Sequence, residues 1–155
     1  MGHHVQTFIG PRHALIAVAS NEELAHVFDT PCGLCALPVT FAWLSAACPP
    51  DGGPCTDDGF IRLTEAFASQ AKAASHLAPI AYLETEYFGG VGDQIAIAWS
   101  RGEVIAKGRV NDALAAIGVK RGPMRDEWDA IGLTNYRDNG DFFDRAGIPI
   151  PGYGG

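Results

Sequence analysis

Hydrophobic residues recur with two periods along the chain, and these periods predict its elements. Residues 5–9 have the β-branched and aromatic content of a strand, and residues 14–19, the longest uninterrupted apolar run, predict a second. Ser20-Asn21-Glu22-Glu23 fits a capping box, so a helix over 21–28 is expected to bury Leu24, Val27 and Phe28 and to stop before Pro31. Residues 38–47 predict a helix with Pro38 in its first turn, closed off by Pro49-Pro50. Residues 48–59, with three prolines, three glycines and three aspartates, predict a long loop. Thr64 then caps a helix that runs through His76, with Phe67, Ala71, Ala74 and Leu77 on one face.

Pro79 imposes extended backbone, and residues 80–88, 95–99 and 104–107 predict a three-stranded antiparallel meander. Its turns fall at Gly89-Gly90-Val91-Gly92 and at Ser100-Arg101-Gly102-Glu103. Asn111 is expected to cap a short helix carrying Leu114 and Ile117 and ending at Gly118. Met124, Trp128 and Ile131 stand at i, i+4 and i+7 of another that ends at Gly132. Residues 141–145 predict one or two helical turns before Gly147, and 148–155 an extended tail. The sum is a single α+β domain over 1–147, an antiparallel sheet of three to five strands with helices packed on one face. No internal repeat or interdomain linker divides it.

The first hairpin has two candidate registers. Setting Glu86 opposite Ile95 gives the glutamates and both isoleucines one face, which buries charge without visible partners. Setting Thr85 opposite Ile97 and Tyr87 opposite Ile95 merges the apolar faces and leaves Glu84 and Glu86 over Ala96 and Ala98. The second is expected, with a three-residue loop Gly90-Val91-Gly92. It places two carboxylates side by side, about 7 Å apart, near Tyr82. Such a pair suits a glycosidase-like site, a divalent metal, an acidic binding patch, or an ordinary strand face that is solvated or salt-bridged to residues such as Arg62 or Lys72.

Composition narrows the function. The chain has 155 residues, 47% of them hydrophobic, and 11 Lys+Arg against 18 Asp+Glu give a net charge of −7. That balance argues against a nucleic-acid or anionic-membrane partner, and the apolar run is too short to span a bilayer. Ala17-Val18-Ala19 resembles a signal cleavage site, but the apolar core before it is too short, and Gln6 stands where myristoylation needs Ser or Thr. A cytoplasmic location is expected. Cys32-x2-Cys35-x12-Cys48-x6-Cys55 offers one tight ligand pair but not two, so buried or inert thiols are expected rather than zinc, and no cofactor is assigned.

Other constellations lack context. Gly90-x-Gly92 lies between strands rather than opening a helix, none of the five serines sits in Gly-x-Ser-x-Gly, and His13, His26 and His76 are scattered. Gly2-His3-His4 would give a free amine incidental Cu(II) or Ni(II) affinity. The acidic distribution says more. Between Asp126 and Asp144 six carboxylates (Asp126, Glu127, Asp129, Asp138, Asp141, Asp144) meet a single basic residue, Arg137, and are interleaved with Trp128, Tyr136, Phe142 and Phe143. Acids around aromatic anchors suit the capture of a basic partner, and equally an amphipathic end-piece with its aromatics buried.

The run Glu84-Thr85-Glu86-Tyr87-Phe88-Gly89-Gly90-Val91-Gly92-Asp93-Gln94, with Asn111-Asp112-Ala113-Leu114 and Asp126-Glu127-Trp128-Asp129 after it, resembles a group of small bacterial proteins. They share a Tyr-Phe-Gly-Gly-x-Gly-x-Gln hairpin, and the likeness extends over residues 63–143. The group is similar in size and acidity to immunity proteins of bacterial toxin systems. The resemblance implies a non-enzymatic protein that occludes a basic toxin surface, and it carries over no catalytic residues. The expected contact residues are Glu84, Glu86, Asp93, Asp126, Glu127, Trp128 and Asp129. The rivals are a small metal-dependent enzyme or ligand-binding protein using the Glu84/Glu86 face, and a zinc-stabilised module using the four cysteines.

Overall fold

A computed structural model describes residues 3–19, 24–30, 33–47, 60–88, 91–120 and 138–150. The side chains of residues 3, 47, 87, 88 and 91–93 are outside that description. The strands are β1 (His3–Gly10), β2 (Phe28–Asp29), β3 (Cys35–Pro38), β4 (Ile80–Phe88), β5 (Val91–Ser100) and β6 (Glu103–Gly108). The helices are α1 (Arg12–Ala19), α2 (Phe41–Ala47), α3 (Glu65–Ala74), α4 (Val110–Ala116) and α5 (Asn139–Ala146). The fold is α+β, and the strands form one antiparallel sheet of order β2-β3-β1-β4-β5-β6. Six strands replace the expected three to five, because two short segments, 28–29 and 35–38, extend the sheet beyond β1.

Strand alternation sends apolar side chains to both faces. Phe8, Leu37, Tyr82, Ile97 and Trp99 form one cluster with Leu15 and Val18 of α1, Trp43 of α2 and Phe67 and Ala71 of α3. Val5, Ile9, Ala36, Leu83, Ala96 and Ala98 form the other with Val110 and Leu114 of α4 and Phe142 and Phe143 of α5. Helices therefore cover both faces, not one. The strands carry apolar residues at consecutive positions (Phe8-Ile9, Ala81-Tyr82-Leu83, Ala96 to Trp99), as a sheet buried on both sides requires.

Four local expectations are corrected. Residues 12–19 are helical, and Ala14, Leu15, Val18 and Ala19 are its buried set, a spacing of one helical face. The Leu15 amide donates to the carbonyl of Pro11, which starts the helix. The expected helix over 21–28 is contradicted at every described position, since 24–27 are not helical and Phe28–Asp29 pairs with Ala36 and Cys35; residues 20–23 lie outside the described residues. Pro38 ends a strand, and α2 starts after Thr40, whose Oγ1 accepts from the Trp43 amide at 3.2 Å. Thr64 caps α3 as expected, accepting from the Phe67 amide at 2.9 Å, but the helix stops at Ala74 and Leu77 is exposed.

At the other end of the chain, α4 begins at Val110, so Asn111 lies inside it, and Gly118 takes φ +100° just beyond. Asp138 caps α5, accepting from the Asp141 amide, and Gly147 closes it in the left-handed region. The β5–β6 turn is the expected one, with Arg101 and Gly102 both at positive φ as a type I′ turn demands. Its amides are held by the end of α3: Arg101 N–H donates to the Ser75 carbonyl and Gly102 N–H to Ser75 Oγ. The expected loop over 48–59, the helix around Trp128 and the tail from 151 lie outside the described residues. No helix among the described residues is long and apolar enough to cross a membrane.

Candidate functional site

The hairpin register decides where the chemistry lies. Tyr82 pairs with Ile97, Glu84 with Ile95, Glu86 with Asp93 and Phe88 with Val91, so only Gly89-Gly90 stand between the strands. Neither register weighed from the sequence is adopted. The observed one shares its facing with the rejected option: Tyr82, Glu84 and the isoleucines point to the same side. Ala96 and Ala98 lie under the opposite face, against α4.

Charge is buried here because it has partners. Glu84 is 4% exposed. Its Oε1 accepts from the Ile61 amide and its Oε2 from the Arg62 amide and the Tyr82 hydroxyl, each at 2.7 Å. Charge-assisted bonds of this length offset the large penalty of taking a carboxylate out of water. Burial first, and then the neighbouring carboxylate, push the Tyr82 phenol well above its ordinary range, so it remains a donor. Burial lowers the Arg62 guanidinium, against the opposing pull of Tyr82 and Glu84, and its Nη1 donates to the Val39 carbonyl at 2.8 Å.

A second buried group completes this end of the sheet. β3 pairs with β1 only from Thr7 onward, which leaves the Gln6 backbone on that edge to be satisfied otherwise. The Val39 amide donates to the Gln6 carbonyl, and Asn139 Oδ1 accepts from the Gln6 amide at 2.9 Å. Asn139 Nδ2 in turn donates to Gln6 Oε1 and to the Val39 carbonyl. The Val39 carbonyl thus joins Arg62 to Asn139, and five segments of chain meet around β1 and β4. Among the described residues every buried side-chain polar atom has a partner.

The network ends in a surface row. His4 stands opposite Glu86, Glu86 opposite Asp93, and Asp138 bridges to His4 from the other side. His4, Glu86 and Asp138 are exposed. Of the sequence-selected residues, Glu84 is therefore corrected from a surface carboxylate to an internal one, Glu86 is at the surface, and Asp93 occupies the facing register position. Glu84 and Glu86 do not make a paired-carboxylate site, since both oxygens of Glu84 already accept hydrogen bonds within the fold. Asp126, Glu127, Trp128 and Asp129 lie outside the described residues. Asn139 carries no signal in the sequence, and the sequence does not place His4 beside Glu86 or Arg62 on the Val39 carbonyl, because these partners are distant along the chain.

Far from this row, Cys35 is buried and its Sγ lies 3.4 Å from Asp29 Oδ1, which also pairs with Arg12 Nη2 at 2.7 Å. Burial, then the hydrogen bond to Asp29, raise the thiol's pKa, which keeps it protonated and unreactive. Cys32, Cys48 and Cys55 are outside the described residues, among which no group of three His, Cys, Asp or Glu is arranged to hold a metal ion. No family model matches the chain, and no curated protein or solved structure matches it either.

Proposed function

We propose that the protein is a non-enzymatic acidic binding protein, an immunity protein that neutralises a bacterial toxin by covering a basic surface. The observation that carries this reading is the row Asp138, His4, Glu86, Asp93 across the end of the sheet. Like charges at directly opposed strand positions are destabilising, by roughly 0.2–1 kcal/mol. A cationic partner removes that penalty when it docks, and the net charge of −7 steers it there. The hairpin that carries Glu86 and Asp93 is also the segment that resembles the small bacterial proteins. Asp126, Glu127, Trp128 and Asp129 are the further contact residues of this proposal.

The test is direct. Co-expression is expected to protect cells from the product of a neighbouring toxin gene, and the purified pair is expected to form a complex that weakens as salt rises. Changing Glu86→Lys and Asp93→Lys together should weaken that complex at least tenfold. A chain that neither protects nor forms a complex, or whose complex ignores both salt and the double change, would refute the reading.

A further inference from the structure

The node around Glu84 holds more than the fold. Ile61 is 56% exposed although its amide is bound by a buried carboxylate, and Phe41, at the start of α2, is 52% exposed. The Arg62–Val39 hydrogen bond ties the two regions together, with Ile61 one residue before Arg62 and Phe41 two residues after Val39. A loop can be held against a sheet by apolar contacts alone, without the desolvation penalty of a carboxylate. What the carboxylate adds is direction: two amides and a phenol fix the backbone at 61–62 in one orientation. Glu86 follows Glu84 on the same strand face, about 7 Å further along. Two large apolar side chains thus flank a rigid link beside an acidic row.

We infer that Phe41 and Ile61 are the apolar anchor of a docking surface for a basic protein segment that carries an apolar side chain between its cations. The inference rests on the proposed capture of a basic partner and specifies what that partner must present. Charge complementarity selects the occupant: the adjoining row is Asp138, His4, Glu86 and Asp93, three carboxylates to one imidazole, and the guanidinium of Arg62 is directed inward to Val39. Interface energetics concentrate in such apolar anchors within a polar rim, while the rim charges set approach and orientation.

Two lysine-rich peptides of equal charge test it, one with a central pair of leucines and the other with serines in their place, titrated against the full chain at low salt. The leucine peptide is expected to bind about tenfold more tightly, the change that about 1.4 kcal/mol of apolar contact gives. Phe41→Ser with Ile61→Ser should abolish that preference and leave the serine peptide's affinity unchanged, with the chain still folding cooperatively in urea at a somewhat lower midpoint, because about half of each residue is exposed. Equal affinities in the parent chain, or a preference that survives the double change, would overturn the anchor while leaving the basic-partner reading intact. Binding of neither peptide would remove both. Self-association of the parent chain that the double change abolishes would assign the pair to a second copy and overturn the proposal.

Discussion

Glu84 and Asp29 use the same chemistry at opposite ends of the burial scale. Each carboxylate lies near an arginine and accepts a 2.7 Å hydrogen bond, Glu84 with Tyr82 as a further donor and Asp29 with the Cys35 thiol. Glu84 is 4% exposed, whereas the side chains of Arg12 and Asp29 are 49% and 83% exposed. In water each lost protein contact is replaced by a solvent contact; inside the sheet nothing replaces it. The difference teaches that bond length says little about what an interaction is worth, and that the environment sets its value.

Replacing the buried carboxylate is the strongest way to break this comparison. Glu84→Ala leaves the Ile61 and Arg62 amides and the Tyr82 hydroxyl without their acceptor, and the half-buried Arg62 without its charge partner. The expected loss is about 3–5 kcal/mol, read from urea denaturation. Glu84→Gln can keep its oxygen at the Oε2 position for the Arg62 amide and the Tyr82 hydroxyl, but it then turns an N–H₂ toward the Ile61 amide, so it should recover only part of that loss. Next comes Asn139→Ala. It strips the Gln6 amide of its acceptor, while the Val39 carbonyl keeps Arg62, and it should cost roughly 2 kcal/mol.

Much of the fold was legible where the signal is local. Thr64 with Phe67 and Ala71, the Arg101-Gly102 turn and Gly147 each declare their role within a few residues. The site was less legible because its rule is not local. The pattern argues against an inward Glu84 because a buried carboxylate needs partners, and two of its three are amides 22 and 23 residues away, the third being the Tyr82 hydroxyl on the same strand. Backbone amides carry no side-chain signature. The helix at 12–19 was missed for a different reason: a continuous apolar run suits either element, and the Ala14, Leu15, Val18, Ala19 spacing emerges only when exposed Ile16 is set aside. Helices on the second face are hidden because Ala96 and Ala98 read as the floor beneath the glutamates rather than as room for α4.

A smaller effect sharpens the buried side. Tyr82→Phe removes one donor from Glu84 but keeps the ring against Phe8 and Phe60, for an expected loss of about 1 kcal/mol. The phenol also predicts an alkaline signature. Its folded pKa lies above the unfolded value of about 10, so the folded chain retains a proton that the unfolded chain releases. The associated stability is complete below that pH and falls as pH rises toward the folded value. Absorbance of tyrosinate against pH should show Tyr82 ionising only as the fold is lost, and Tyr82→Phe should flatten the alkaline decline. Ionisation of all four tyrosines while the chain is still folded would show that the phenol is not sequestered.

The smallest effect belongs to the exposed pair. Hydrogen bonding from Arg12 holds the Asp29 carboxyl below its ordinary range, so whatever stability the pair supplies is present above the unfolded carboxylate value and is lost as acid passes the folded one. Both side chains are solvated, and salt screens them further. Arg12→Ala and Asp29→Asn are therefore expected to leave the urea midpoint at neutral pH within the scatter of repeat measurements, with the parent chain insensitive to added salt at this pair. Asp29→Asn removes the weaker of the two main causes that raise the Cys35 thiol, leaving burial in place, so alkylation of that thiol should quicken only slightly. A large loss of stability from either substitution would mean that the pair governs the packing of α1 against β2 and β3, and that exposure does not rank the two carboxylates.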